Sequence, residues 1–207
     1  KVSRLTENIF SLVAIKGLDY ILNFITFPFL VRVLQVERFG VIVVVQGVIQ
    51  YFVLVTNYGF DMSGPKEIAK NDTIEERGAV FSSIFFAKLL LLLLASVVFI
   101  LLSVLVSQFY KVDIFLYLVI YLSVIGNVIF PIWFFQGIQE MRHITIANSI
   151  ARIVSVCGIF FFVKIPDDYI LAAFMQSLVP IVAAIYSWCI IVKKYPEVLC
   201  RPSSGAG

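Results

Sequence analysis

The chain contains stretches too long and too apolar to be hidden inside a water-soluble core. Residues 87–106 hold a single charge, Lys88, and residues 39–60 hold none. A helix needs roughly 20 mostly apolar residues to cross the hydrocarbon layer, whereas buried helices of soluble proteins are usually shorter. A spanning strand would be about half that length and would alternate polar with apolar positions, a pattern these runs lack. With 61% of its 207 residues hydrophobic and 14% charged, the chain carries more apolar surface than one soluble core can absorb. The sequence therefore predicts an all-α integral membrane protein, a bundle of transmembrane helices.

Hydrophobic patterning places six spans, at about 8–34, 39–61, 79–107, 113–136, 144–164 and 168–192,. Six spans put both termini on one side. With a cytoplasmic N-terminus, nine basic residues (Lys1, Arg4, Lys66, Lys70, Arg77, Arg142, Lys193, Lys194, Arg201) fall inside and four (Arg32, Arg38, Lys111, Lys164) outside, which favours that orientation. The first apolar stretch is long and has no small-residue cleavage site, so it reads as an uncleaved span. The longest connection, Ser63 to Gly78, carries both signs of charge and has room for a short amphipathic helix.

The net charge of +3 does not indicate nucleic acid, because the basic residues are scattered between apolar spans and form no basic run or aromatic RNA-binding motif. Cys157 and Cys189 fall inside spans and Cys200 near the C-terminal end, without CxxC spacing, so neither zinc nor a disulfide framework is indicated,. The single histidine, His143, is expected in a solvated inner loop,. With no carboxylate pair, nucleophile elbow or glycine-rich phosphate loop, the sequence predicts no enzyme, no cofactor and no metal.

Polar groups inside the spans carry more information. Lys16, Lys88 and Arg152 each lie eight or nine residues into an inward-to-outward span, so they share a layer roughly 12 to 14 Å from the cytoplasmic edge. An uncompensated charge at the bilayer centre costs about 2.5 to 3.5 kcal/mol on insertion scales. Each cation therefore needs a partner, water or a stem that snorkels to the headgroups, and the depth is long for snorkelling. Asp19, three residues after Lys16, shares its helix face, and Asn23 extends that face,. Lys88 and Arg152 have no carboxylate in their own spans, although Arg152 shares a face with Asn148 and Ser155. An anionic ligand could supply the charge. Gln46, Gln50, Asn57 and Asp61 fall within about 60° of one another on the second span; such a stripe lines a bundle interior, either as cavity wall or as interhelical hydrogen bonds. Pro28, Pro131 and Pro180 predict kinks in three spans,.

Four segments in order carry a family resemblance: Thr26-Phe-Pro-Phe-Leu-Val-Arg-Val-Leu34 with Arg38-Phe-Gly40, Asn57-Tyr-Gly-Phe60, Gly64-Pro-Lys-Glu-Ile-Ala-Lys70, and Pro131-Ile-Trp-Phe-Phe-Gln-Gly137 with Glu140-Met141. Together they resemble the polysaccharide and O-antigen flippases, lipid-linked oligosaccharide transporters of the multidrug, oligosaccharidyl-lipid and polysaccharide exporter superfamily. The fold implied is two six-helix lobes around a central cavity, of which residues 1–207 resemble the N-terminal one; the tail from Arg201 to Gly207 leads into no seventh apolar span.

The resemblance implies movement of an undecaprenyl-diphosphate-linked repeat unit across the bacterial inner membrane by alternating access. Lys88 and Arg152 would bind the diphosphate, with Lys16 and Asn148 beside them. Asp19, Asn23, Gln46, Gln50, Asn57 and Asp61 would line the cavity or couple transport to a proton or sodium gradient. Two other readings stay open: a cation-coupled multidrug exporter of the same superfamily, which would favour acidic and aromatic cavity residues, and a non-transporting scaffold that binds a polysaccharide polymerase or glycosyltransferase.

Overall fold

The computed structural model describes residues 2–71, 73–109 and 113–199, without the side chains of residues 2–16, 18, 19, 106–109 and 199. The chain is helical almost throughout, with no strand among the described residues: α1 (Val2–Asn57), α2 (Phe60–Lys70), α3 (Ile74–Phe109), α4 (Ile114–Ile129), α5 (Ile132–Gly137), α6 (Met141–Phe162), a 3-10 turn (Pro166–Asp168), α7 (Tyr169–Lys194) and α8 (Pro196–Leu199). Five helical stretches are long and apolar enough to cross a membrane. The first of them, Tyr20–Lys70, includes parts of two expected spans.

α1 is a hairpin. Gln35 has φ 63° and ψ 161°, which ends one helical arm and starts the next. The rings of Phe27 and Phe39 lie 5.2 Å apart, although twelve residues of straight helix would separate them by roughly 18 Å. Leu30 and Leu34 from the first arm and Ile42, Val45 and Ile49 from the second enter one buried cluster with Leu116, Ile120 and Val124 of α4. The sharp reversal is thus at Gln35, while Pro28 is exposed within a continuing helix.

Long-range contacts sort the connections into two ends. Arg38 pairs with Asp167 at 3.4 Å and lies over the Tyr169 ring, and the Tyr169 hydroxyl donates to Asp113 Oδ2 at 2.5 Å; Asp113 Oδ1 in turn caps α4 by accepting from the Phe115 and Leu116 amides. At the other end Lys194 donates to Glu140, and the start of α3 meets α8 where Gly78 faces the Val198 carbonyl. Successive long helices therefore run in alternate directions.

Several boundaries differ from those expected. The second arm stops at Asn57, because Tyr58 and Gly59 have positive φ (38° and 77°) and redirect the chain into α2. α2 is the amphipathic helix expected in the connection, burying Gly64 and Ile68 and exposing Lys66, Glu67 and Lys70. The fourth span is interrupted, not merely kinked: α4 ends at Ile129, Pro131 has no N–H to offer the Asn127 carbonyl one turn back, and the Ile129 carbonyl at the helix end accepts from Trp188 Nε1 at 2.9 Å,.

Close packing relies on small residues, as expected where lipid removes the hydrophobic drive between helices. Gly126 of α4 faces the backbone of Pro180 and Ile181 in α7, and Ala147 and Ala151 of α6 cluster with Ala183 and Ala184 of α7. α2 docks on α5 through two glycines, Gly64 against Trp133 and Gly137 against Ile68. Around them Phe81, Trp133, Phe134 and Phe135 form a second buried cluster at this end. Phe86, Leu90, Leu93, Leu94 and Leu101 of α3 stay exposed, a surface suited to acyl chains.

Candidate substrate cavity

A cavity of about 360 Å³ opens between the second arm of α1, α4, α6 and α7. Gln46 and Gln50 come from α1, Ser123 and Asn127 from α4, Asn148 and Arg152 from α6, and Gln176 and Ser177 from α7, with Phe130, Ile132 and Pro180 completing the wall. Each polar pair has a spacing of one helical turn or is adjacent, so each helix presents one narrow polar stripe on an otherwise apolar surface. The lining has one cation and no carboxylate.

Hydrogen bonds fix part of this wall. Gln46 Nε2 donates to Gln176 Oε1 at 2.8 Å, and Asn127 Nδ2 donates to the Ser123 carbonyl at 2.8 Å, which leaves its side-chain oxygen to accept. Arg152 is half-buried and engages a neighbour. Its guanidinium has five N–H donors in a planar fork suited to phosphate or carboxylate. Amides and hydroxyls supply paired donors and acceptors of the kind that sugar hydroxyls complement.

The structure brings together Gln46, Gln50, Asn148 and Arg152 and separates the other expected site residues from them. Lys88 is 1% exposed and is not among the cavity's lining residues. It lies one turn past Ile84 and Phe85 of the aromatic end, within reach of the field of Asp61. Lys88 and Arg152 thus do not form a two-cation clamp on this cavity, because α3 contributes nothing to its wall. Asn57 keeps the face of Gln46 and Gln50 but lies beyond the cavity, with Oδ1 buried and unpartnered. Asp61 is not on the second span: it occupies the first turn of α2 and is exposed. Asn23 is exposed on the first arm. The side chains of Lys16 and Asp19 lie outside the described residues, as does Cys200.

Gln176, Asn127, Ser123 and Ser177 were missed by sequence reasoning that looked for charges and for a stripe within one helix. The available signal was simple: Asn127 and Gln176 are the lone amide side chains of α4 and α7.

His143 also differs from expectation. It sits in the first turn of α6, half-buried, with Nε2 3.1 Å from Glu140 Oε2 and its ring against Phe135. Burial alone would raise the Glu140 carboxyl, but hydrogen bonds from Lys194 and Tyr195 and the charges of Lys194 and His143 outweigh it and hold the group below the ordinary carboxylate value,. Among the described residues, no group of three or more His, Cys, Asp or Glu is placed to hold a metal ion.

Comparison with known proteins gives a consistent result. The chain is 30% identical over 189 residues to the "Putative O-antigen transporter" of Escherichia coli (strain K12), covering 91% of this chain and 45% of that protein. It is 30% identical over 195 residues to the protein of the same name from Shigella dysenteriae, covering 94% of this chain and 49% of that protein. The chain thus spans about half the length of the curated relatives it matches. No solved structure matches. The family described as polysaccharide biosynthesis protein matches residues 5–204, nearly the whole of this multi-helix membrane chain, and the chain belongs to that family.

Proposed function

We propose that the chain is one six-helix lobe of a flippase that moves an undecaprenyl-diphosphate-linked O-antigen-type repeat unit from the cytoplasmic to the periplasmic face of the bacterial inner membrane by alternating access. The single observation that carries this reading is the composition of the cavity: amides, hydroxyls and one guanidinium, with no carboxylate, set in an apolar bundle. That lining suits neutral sugars and an anionic phosphate and disfavours a cationic drug. The names of the relatives, which as whole proteins span about twice this length, support the same substrate class.

In this reading Arg152 receives phosphate oxygens through a planar, charge-assisted pair of hydrogen bonds, Asn148 one turn earlier orients them, and the amides of α1, α4 and α7 face the sugars. The excess of basic residues at the end that holds α2, α8 and Lys194 supports a cytoplasmic position for that end and for both termini. Lys16 and Asp19 remain candidates for coupling to a proton or sodium gradient, and a polysaccharide polymerase is the partner this reading implies.

The test is R152Q in the native gene product, expressed in cells lacking the wild-type gene, with R152K alongside. R152Q should abolish surface polysaccharide and leave lipid-linked repeat unit in the cytoplasmic leaflet while the protein reaches normal membrane levels; R152K should restore part of the display. Normal polymer on the surface of R152Q cells would sink the proposal.

A further inference from the structure

The amide pair on the cavity wall does more than tie two helices. Gln46 and Gln176 meet across 130 positions of sequence, one from the second arm of α1 and one from α7. Their hydrogen bond uses one of the Gln46 N–H groups and the Gln176 carbonyl. Gln176 Nε2 is left buried without a partner, and the Gln46 side chain makes no second hydrogen bond among the described residues. A clasp with a purely structural role would be better satisfied, because a buried amide donor without an acceptor is unfavourable until an acceptor arrives. The pair sits on the lining of the cavity, with Gln50 one turn from Gln46.

We propose that the Gln46–Gln176 pair is the sugar-reading element of this lobe, a clasp that opens onto hydroxyl groups of a neutral sugar ring and discriminates by them. The inference rests on the transport reading above. An amide offers a donor and an acceptor side by side, and a ring hydroxyl is both donor and acceptor. A hydroxyl pair can therefore replace the amide–amide bond and also satisfy the orphaned Gln176 Nε2. A sugar lacking that hydroxyl breaks the clasp without replacing it. Sites built to hydrogen-bond a substrate hydroxyl reject the analogue without it far more strongly than apolar pockets reject an extra methylene. Arg152, on α6, is left to the phosphate, so anion and sugar are read by different helices.

The experiment uses the native gene product in liposomes and fluorescent polyprenyl-diphosphate probes carrying glucose, each of its monodeoxy analogues, or no sugar. Wild type should flip the glucosyl probe at least about tenfold faster than one of the deoxy probes. The volume-conserving variants Q46M and Q176M, singly and together, should bring that ratio to within about twofold, with the double variant no worse than either single because the two residues act as one unit. Insertion level and melting temperature control for folding, and Q46N, which keeps the amide on a shorter stem, should retain part of the discrimination. A ratio preserved in Q46M and Q176M overturns the clasp while leaving transport standing. Equal slowing of every probe assigns the pair a structural role and also overturns it. A wild-type protein that flips none of these probes, and none carrying the lipid-linked repeat unit extracted from its own cells, refutes the transport reading, and the clasp with it.

Discussion

The approach of α4 to α7 forms one side of the cavity and is set by a single missing methyl group. A Cβ on Gly126 would lie 2.8 Å from the Ile181 nitrogen and 2.9 Å from the Pro180 carbonyl carbon. Both are backbone atoms, so no rotamer change relieves the overlap. Ordinary contact begins near 3.4 Å, and G126A must therefore push the helices apart by about 0.6 Å, as read from those distances. Overpacking of this kind costs about 1–3 kcal/mol, against a helix-propensity gain of about 0.5–1 kcal/mol for replacing a mid-helix glycine. At the midpoints of those ranges the net expectation is a loss of about 1 kcal/mol. Gly47 is the internal control, since nothing lies within 4 Å of its added Cβ and only the propensity gain applies. Thermal unfolding in one detergent, followed by the fluorescence of Trp133 and Trp188, both at the aromatic end, compares the variants. At roughly 2–4 °C per kcal/mol for a chain of this size, G126A should melt about 2–5 °C below wild type and G47A about 1–4 °C above it. If G47A rises and G126A matches or exceeds wild type, α4 and α7 do not approach as closely as described, and the cavity wall built on that contact is wrong.

Gln35 holds φ 63° and ψ 161°, a region that costs a non-glycine residue about 1–3 kcal/mol, so Q35G should raise the melting temperature despite its added unfolded-state freedom; a fall would argue against the sharp reversal. Glu140 is held below its ordinary value of 4.5, so the stability its charge contributes is present above that pH and lost as pH falls through the lower folded-state value. With its side chain 31% exposed, the difference between wild type and E140Q should be about 1 kcal/mol or less at neutral pH and should vanish in acid; a difference that grows on acidification would reverse the sign and refute the tie to Lys194. Cys157 and Cys189 are both exposed on apolar helices, so in a C200S background a lipid-soluble maleimide should label them and a charged, impermeant one should not. Labelling by the charged reagent would place those faces in water.

Much of the architecture follows from the sequence alone. The long apolar runs forbid a soluble core, and six stretches of sufficient length dictate helices that alternate in direction, because lipid offers no water to unpaired backbone groups. The polar residues Gln46, Gln50, Asn148 and Arg152 were legible as cavity candidates for the same reason: each is out of place in its span unless it faces another polar group. Tertiary structure decided what lies opposite each of them. Lys88 and Arg152 occur at similar depths along the sequence, but depth does not specify rotation about the helix axis or which neighbour a helix packs against, and Lys88 is buried without lining the cavity that Arg152 lines. Asp61 continues a stripe in projection, yet two residues with positive φ at Tyr58 and Gly59 end the helix before reaching it. The Gln46–Gln176 pair is invisible to any local pattern, since its partners lie 130 positions apart and meet only in the folded bundle. Hydrophobic periodicity reports how each segment meets its solvent; which segments meet one another is set by small-residue contacts and backbone turns, and these acquire their meaning only in three dimensions.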